Sequence, residues 1–184
     1  MKKSVLLSLS IWVAVSLMLT AMGSPAPAQQ ASVIYSTNFN SGYSGWTASG
    51  TVDGVATPTI VANSVRLRGT SSITRAVSTV GYTGISVTWN MAASSLESAD
   101  HCYAEINTGS GWTAIGTLND GQDNSAFISG TSNNISGADQ NASFQVRYRG
   151  NGATTGHYCY AADITMSGTS GAAPTSTAIP PTAT

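Results

Sequence analysis

Four of the five arginines form two Arg-x-Arg pairs, Arg66 with Arg68 and Arg147 with Arg149. Residues two positions apart on a strand point to the same face, so each pair places two guanidinium groups side by side. A guanidinium presents a planar fork of N–H donors that fits a carboxylate or a sulfate group. Each pair is therefore a candidate site for an acidic glycan. The alternative is a solvated charged face that keeps strand edges from aggregating.

Three aromatic side chains are candidates for contact with a sugar ring, because sugars stack on exposed aromatic faces. Trp46 and Trp112 each follow a glycine-containing turn, and the alternative for both is a lid over the hydrophobic core. Tyr103 flanks a cysteine, where cross-strand packing is the alternative. Trp89 alternates with apolar residues along its segment and is therefore expected in the core.

Cys102 and Cys159 are the only cysteines, and an even pair in an exported protein is most simply a disulfide. A zinc or copper site that also uses His101 and His157 is the alternative, because the residue types suit either metal. Neighbouring residues on a strand point to opposite faces, however, so His101 and Cys102 cannot easily bind one ion. The sequence therefore predicts a disulfide and an oxidising compartment.

Catalysis has little support in the residue pattern. A glycosidase needs two carboxyl groups about 5 to 10 Å apart, and Glu97 and Glu105 are the only glutamates. No Gly-x-Ser-x-Gly motif is present for a hydrolase triad. The oxygen-rich segment 120–124 suits either a calcium ligand set or a hairpin turn. An active site would require Glu105 and a partner carboxylate to share one groove. Because the residue pattern gives little support for such a pair, we expect the protein not to be an enzyme.

Charged residues make up only 8% of the 184 residues, whereas an ordinary soluble domain is about a quarter charged. Both lysines, Lys2 and Lys3, lie at the N-terminus, and the rest of the chain sets five arginines against eight acids, a net charge of −3. Nucleic-acid binders gain much of their affinity by neutralising phosphates. The composition therefore argues against DNA, RNA and anionic membrane surfaces as partners.

The two ends of the chain differ from its middle. Residues 1–28 have the parts of an export signal: two lysines, an apolar run and a small-residue segment that ends at Ala28. An uncleaved membrane anchor is the alternative, since the apolar run approaches the ~17 residues that span a bilayer. Residues 169–184 are rich in Thr, Ser, Pro and Ala, which predicts a linker or disordered tail toward a second module. The expected product is a secreted, extracellular domain of residues 29–168.

Apolar and polar residues alternate in the segment 85–91, which is typical of a half-buried strand. Turn dipeptides such as Asp120-Gly121 separate similar segments, and no window shows three helical turns of apolar spacing. About nine or ten short strands predict an all-β fold, a two-sheet antiparallel β-sandwich of the jelly-roll type. The other predicted strands span 33–39, 64–68, 72–78, 101–107, 112–118, 125–129, 143–149 and 158–166.

Three stretches carry a resemblance to known domains. Residues 38–46 have the form of an opening strand with Phe, Gly and Trp. Residues 95–105, together with 111–112, have the form of a central strand and hairpin. Residues 144–149 and 160–166 have the form of a closing pair of strands. In these stretches the chain resembles MAM-like and related bacterial extracellular jelly-roll domains, which are similar to carbohydrate-binding modules. The resemblance implies a non-catalytic accessory of secreted hydrolases or surface proteins, and some members bind carbohydrate or a structural cation.

A structural calcium ion is the one cofactor that the resemblance implies. Where the family pattern has carboxylates beside Phe39, this chain has Asn38 and Asn40, and Ala162 replaces an acid before Asp163. Calcium takes six to eight oxygen ligands, several of them usually charged. Asn40 and Asp163 are the candidate metal ligands that remain.

These observations favour a secreted, non-catalytic β-sandwich accessory module that binds polysaccharide or mediates contacts with cell-surface glycans. One alternative is a structural or adhesive spacer without a small ligand. The other is a small glycan-active enzyme of concanavalin-like fold.

Overall fold

The computed structural model describes residues 29–56, 64–123 and 126–171. The expected export signal of 1–28 and the tail from 172 onward lie outside these residues. Among the described residues, no helix has the length and apolar character that a membrane crossing requires. The predictions about the two ends of the chain therefore stay predictions.

Nine strands form the described part of the chain, and every pairing between them is antiparallel. The order of hydrogen-bonded neighbours is β6-β5-β8-β3-β9-β4-β7, with β1 beside β9 and β2 beside β3. The predicted all-β antiparallel sandwich is confirmed. The strands are β1 (Ala31–Thr37), β2 (Thr47–Ala56), β3 (Ser64–Ala76), β4 (Tyr82–Ser94), β5 (His101–Asn107), β6 (Trp112–Asn119), β7 (Ile128–Ser132), β8 (Gln145–Asn151) and β9 (Tyr158–Ser170).

Strand β3 is shared by two sheets. Its first half, 65–68, pairs with β9, and its second half, 70–76, pairs with β8. Gly69 lies between the halves with φ +54°, in the left-handed region that favours glycine. We call β6, β5, β8 and the second half of β3 the β5 sheet, and the first half of β3 with β9, β4, β7 and β1 the β9 sheet. The sequence predicts two separate strands here, which is wrong, because one strand runs through Gly69, where the chain bends and changes its partner from β9 to β8.

Other strand limits also differ from the sequence prediction. The sequence does not predict β2, because its ten residues include Gly50 and Gly54 and lack a regular apolar alternation. Strand β7 spans Ile128–Ser132, three residues later than its predicted start. Strand β9 continues to Ser170, two residues past the expected end of the domain.

The core is filled from the inner faces of both sheets. Trp89 of β4 is 6% exposed, which confirms its predicted core position. Its indole lies against Gly116 of β6 and Gly130 of β7, and a Cβ at either glycine would overlap the ring. The edge strands β6 and β7 therefore leave a glycine-lined slot that the indole fills. Large side chains that are fully buried include Phe39, Leu67, Ile73, Ile85, Phe144 and Tyr148.

Cys102 of β5 and Cys159 of β9 form a disulfide, as predicted, with Cα atoms 5.6 Å apart. The bond joins the two sheets and leaves no free cysteine. Because both thiols are consumed, the alternative of a zinc or copper site built on these cysteines is excluded.

Candidate functional site

Both arginine pairs lie on outer faces of the sandwich. The residues between and beside them, Val65, Leu67, Val146 and Tyr148, are at most 2% exposed and point into the core. The alternation along β3 and β8 therefore sends all four guanidinium groups outward, as the sequence predicts. Each pair also flanks one carboxylate of a neighbouring strand, a relationship that sequence reasoning misses.

Glu105 of β5 is the centre of the first group of side chains. It lies opposite Arg147 of β8, and Tyr103 lies opposite Arg149, so the four residues form a compact square. Arg147 Nε donates to Glu105 Oε2 over 2.7 Å, and Arg149 donates through Nε to Oε2 over 3.1 Å and through Nη2 to Oε1 over 3.0 Å. We call these residues, together with Trp112, the Glu105 cluster.

Glu105 is only 5% exposed, although it lies on the outer side of its sheet. Burial by itself raises the pKa of its carboxyl, but hydrogen bonds and charge from Arg149 and Arg147 outweigh burial, and the pKa lies below its ordinary value. Glu105 is therefore a fixed anion at neutral pH.

Aromatic rings hold the two arginines in place. The Arg147 guanidinium lies 3.9 Å from the centre of the Trp112 ring, and that of Arg149 lies 4.1 Å from the centre of the Tyr103 ring. Both are cation–π contacts. The arginine side chains are still 18% and 29% exposed, so they keep contact with solvent. Two cations on one anion give the cluster a net charge of +1.

Amide side chains border the Glu105 cluster at one end. Asn107 of β5 pairs with Gln145 of β8, and the Asn107 side-chain nitrogen donates to Gln145 Oε1 over 3.4 Å. Asn107 Oδ1 also accepts from the backbone N–H of Gly109 and Gly111, which fixes the turn that delivers Trp112. The outer face of the β5 sheet thus combines aromatic rings, guanidinium donors and amides.

Trp46 does not belong to this surface. It is 7% exposed and packs in the core, with ring centres 5.2 Å from Phe39 and 6.5 Å from Tyr148. Its indole N–H donates to the Tyr35 hydroxyl over 3.0 Å, so its polar group is satisfied inside the protein. Trp46 therefore occupies the core position, which is one of its two predicted alternatives. Its buried ring is not available as a platform for sugar.

Asp53 of β2 is the centre of a second group, on the outer side of the first half of β3. Arg66 Nε donates to Asp53 Oδ2 over 2.6 Å, and Arg68 Nε donates to the same oxygen over 2.7 Å. Both guanidinium groups lie over the Tyr158 ring, at 5.1 and 5.5 Å from its centre. We call Asp53, Arg66, Arg68 and Tyr158 the Asp53 cluster. It has the same composition as the Glu105 cluster: one acid, an Arg-x-Arg pair and aromatic support.

The two candidate calcium ligands are both exposed. Asp163 of β9 lines a shallow cleft together with Ser36, Asn38 and Thr165, and Asn40 is not among the lining residues. The Asp163 carboxylate accepts a long hydrogen bond of 3.4 Å from Asn90. Calcium binding by Asn40 and Asp163 stays a prediction.

A different set of metal-type ligands lies beside the disulfide. One ligand atom each of Glu97, Asp100 and His157 falls within 4.8 Å of the others. Asp100 is 1% exposed and accepts from the backbone N–H of Glu97 and Ala153, while His157 Nδ1 contacts its Oδ2. Burial raises the pKa of Asp100, but these bonds outweigh burial and lower it overall. The Glu-x-x-Asp spacing is the only sequence signal for this cluster.

Glu105 does not have the properties of a catalytic acid. A glycosidase acid needs a raised pKa, whereas the pKa of Glu105 is lowered, and both of its oxygens accept bonds from arginine. Within the described ranges, the Glu105 carboxylate is held by Arg147 and Arg149 and is not poised to donate a proton.

No family model and no curated protein matches the sequence. Solved structures do match in fold. The CBM22-1 xylan-binding domain of Paenibacillus barcinonensis Xyn10C has a TM-score of 0.55 at 11% identity, over 79% of this chain and 99% of that domain. TmCBM61, solved in complex with β-1,4-galactotriose, has a TM-score of 0.50 at 13% identity, over 70% of this chain and 92% of the module.

The K3 cleaved adhesin domain of Lys-gingipain from Porphyromonas gingivalis also matches, with a TM-score of 0.50 at 13% identity, over 75% of this chain and 99% of that domain. At these identities the likeness concerns the fold alone. The chain is therefore similar in architecture to carbohydrate-binding modules of the jelly-roll type. The MAM-like part of the resemblance stays a prediction.

Proposed function

We propose that the protein is a non-catalytic module that binds polysaccharide through the Glu105 cluster. The observation that carries the proposal is the arrangement of Tyr103, Trp112, Arg147 and Arg149 around one buried carboxylate. Preorganised donors lose little conformational entropy on binding, which favours affinity for a flexible polymer.

Each part of the cluster has a role in this proposal. The guanidinium N–H groups that Glu105 leaves unused donate to sugar hydroxyls, and the amides of Asn107 and Gln145 continue the row of donors along the strands. The half-buried rings of Trp112 and Tyr103 supply apolar surface for the C–H faces of sugars. The fold of the xylan-binding and galactotriose-bound modules supports the same assignment, because it is the architecture those binders use.

The proposal includes an extracellular location. A disulfide persists in oxidising compartments and is rare in the cytosol. The export signal in 1–28 and a Thr/Pro-rich linker after Ser170 complete the proposed organisation, with a second module beyond the linker.

Affinity electrophoresis of the purified full chain tests this function. The panel is xylan, β-1,4-galactan, methyl-esterified pectin, polygalacturonate and alginate. We expect retardation by at least one polymer, and loss of that retardation in Trp112→Ala. Val80→Ala is the control, because Val80 is an exposed apolar residue, 56% accessible, outside the cluster. If no polymer retards the wild-type protein, the module does not bind polysaccharide and the spacer alternative is favoured.

A further inference from the structure

We propose that the Asp53 cluster is a second binding site, specific for the carboxylate or sulfate groups of an acidic polysaccharide. This inference rests on the proposed function and goes beyond it, because it names a second surface and the chemical class of the ligand.

The Asp53 cluster carries a net positive charge. Arg66 and Arg68 share a single oxygen of Asp53, so two cations are balanced by one anion and the cluster keeps a net charge of +1. Residues 57–63, which follow β2 in the sequence and lie outside the described residues, include no charged residue. After Lys2 and Lys3 the chain has no lysine and is acidic overall. The Asp53 cluster is therefore a local positive charge in an acidic chain, as the Glu105 cluster also is, and it attracts anionic groups.

Asp53 uses only some of the N–H donors of the two arginines. Asp53 engages Nε and Nη2 of Arg66 and only Nε of Arg68. Within the described ranges, Nη1 of Arg66 and both Nη groups of Arg68 make no hydrogen bond to protein. Paired N–H donors on a planar guanidinium match the two oxygens of a carboxylate or sulfate, and such charge-assisted bonds are about twice as strong as neutral ones.

The arginines of the Asp53 cluster are accessible to solvent and are held by neighbouring side chains. The side chains of Arg66, Arg68 and Asp53 are 27%, 30% and 35% exposed, so the Asp53 cluster is more open than the Glu105 cluster, whose acid is 5% exposed. Tyr158 lies beneath the guanidinium groups, and its ring in turn packs against Tyr160, with ring centres 6.3 Å apart. The arginines are therefore held from below by aromatic rings and from one side by Asp53, while their outer edges face solvent.

The two clusters lie on either side of the bend at Gly69 in β3. Arg68 directly precedes this glycine, and Ser72, which pairs with Arg149, lies three residues beyond it. At about 3.3 Å per residue, the stretch from Arg68 to Ser72 spans about 13 Å of strand, and that from Arg66 to Thr74, which pairs with Arg147, spans about 26 Å. The two clusters are therefore separate surfaces.

The test compares one polymer with and without its charge. The wild-type full chain, Arg66→Gln, Arg68→Gln and the double variant are run by affinity electrophoresis in polygalacturonate and in its methyl ester. Arg75→Gln is the matched control, because Arg75 is the one arginine outside the pairs and its loss changes net charge equally. We expect Arg68→Gln to weaken binding to polygalacturonate by about tenfold and to leave binding to the ester unchanged. Thermal unfolding followed by circular dichroism verifies that each variant is folded.

Four results would overturn the inference. Equal binding of polygalacturonate by wild type and the Arg66→Gln/Arg68→Gln variant excludes the Asp53 cluster, as does an equal loss in Arg75→Gln. Failure of the wild type to bind polygalacturonate, alginate and sulfated dextran, together with binding to a neutral polymer, removes this inference and leaves the proposed function intact. Failure to bind any polymer removes both. Sulfated dextran in a parallel gel distinguishes a preference for sulfate from one for carboxylate.

Discussion

Arg147 donates from Nε to Oε2 of Glu105 over 2.7 Å, across the ladder that joins β8 to β5. Glu105 also accepts a hydrogen bond from Arg149, so a single carboxylate sets the positions of both guanidinium groups. Glu105 is nearly inaccessible, while the arginines that cover it reach solvent. The donors that a ligand meets are therefore positioned by a residue that the ligand does not contact.

Replacement of Glu105 by Gln should lower both stability and binding. The variant keeps the size of the side chain but leaves two neighbouring guanidinium groups without a compensating charge, and loss of one partner of a buried ion pair is costly. Because the arginines are partly solvated, we expect a loss of about 1–3 kcal/mol in the free energy of unfolding. Urea denaturation measures it. Asp120→Asn, which removes an exposed carboxylate, should change stability by less than about 0.5 kcal/mol. Equal effects of the two variants would contradict this prediction.

Stability should fall in acid because of two buried carboxylates. The pKa values of Glu105 and Asp100 are lower in the folded protein than in the unfolded chain. The unfolded chain therefore binds protons first, and the stability contributed by these groups is complete above the ordinary carboxyl range of about pH 4. It is lost as the pH falls from there through the lowered pKa values. Thermal midpoints measured between about pH 7 and pH 2 should show this decline, and Glu105→Gln should make it shallower. A midpoint that rises on acidification would show that the carboxyl pKa values are raised.

The outward direction of the arginines could be predicted from the sequence, but their partners could not. Alternation with Val65 and Leu67 is enough to place Arg66 and Arg68 on an outer face. Their acid, Asp53, lies on a strand that has no apolar alternation, so nothing in the sequence marks that strand. Glu105 and Arg147 are 42 residues apart, and their contact depends on the pairing of β5 with β8. Strand order is set by tertiary packing, which a single sequence does not display.

Removal of the disulfide should destabilise the protein without changing its fold class. The bond closes a separation of 57 residues, for which the chain-entropy model gives about 4 kcal/mol. We expect Cys102→Ala/Cys159→Ala to lose stability of that order in urea denaturation. Mass spectrometry of the native protein, with thiol alkylation before and after reduction, checks the premise. Two alkylated cysteines in the unreduced protein would contradict the observed pairing.

A methyl group at Gly116 should disturb the core through Trp89. The Cβ of Gly116→Ala would overlap the indole, which is fixed between Gly116 and Gly130. Overpacking of this kind costs about 1–3 kcal/mol. Gly54→Ala is the matched control, since a Cβ at Gly54 meets no atom within 4 Å. A shift in the emission spectrum of Trp89 should accompany the loss of stability. Equal stability of the two variants would show that β6 and β7 can move apart freely.

Binding through the Glu105 cluster requires that a saccharide contact Trp112, Arg147 and Arg149. A ¹H–¹⁵N NMR titration of the full chain with a short oligosaccharide, cut from the polymer that retards it most, locates the contact. The indole N–H signals of Trp112, Trp46 and Trp89 serve as reporters, because the first lies in the Glu105 cluster and the others are buried. We predict that the Trp112 indole and the Nε–H signals of Arg147 and Arg149 shift in a saturable manner, while those of Trp46 and Trp89 stay in place. Saturable shifts confined to other surfaces, with the Trp112 signal unchanged, would contradict the account.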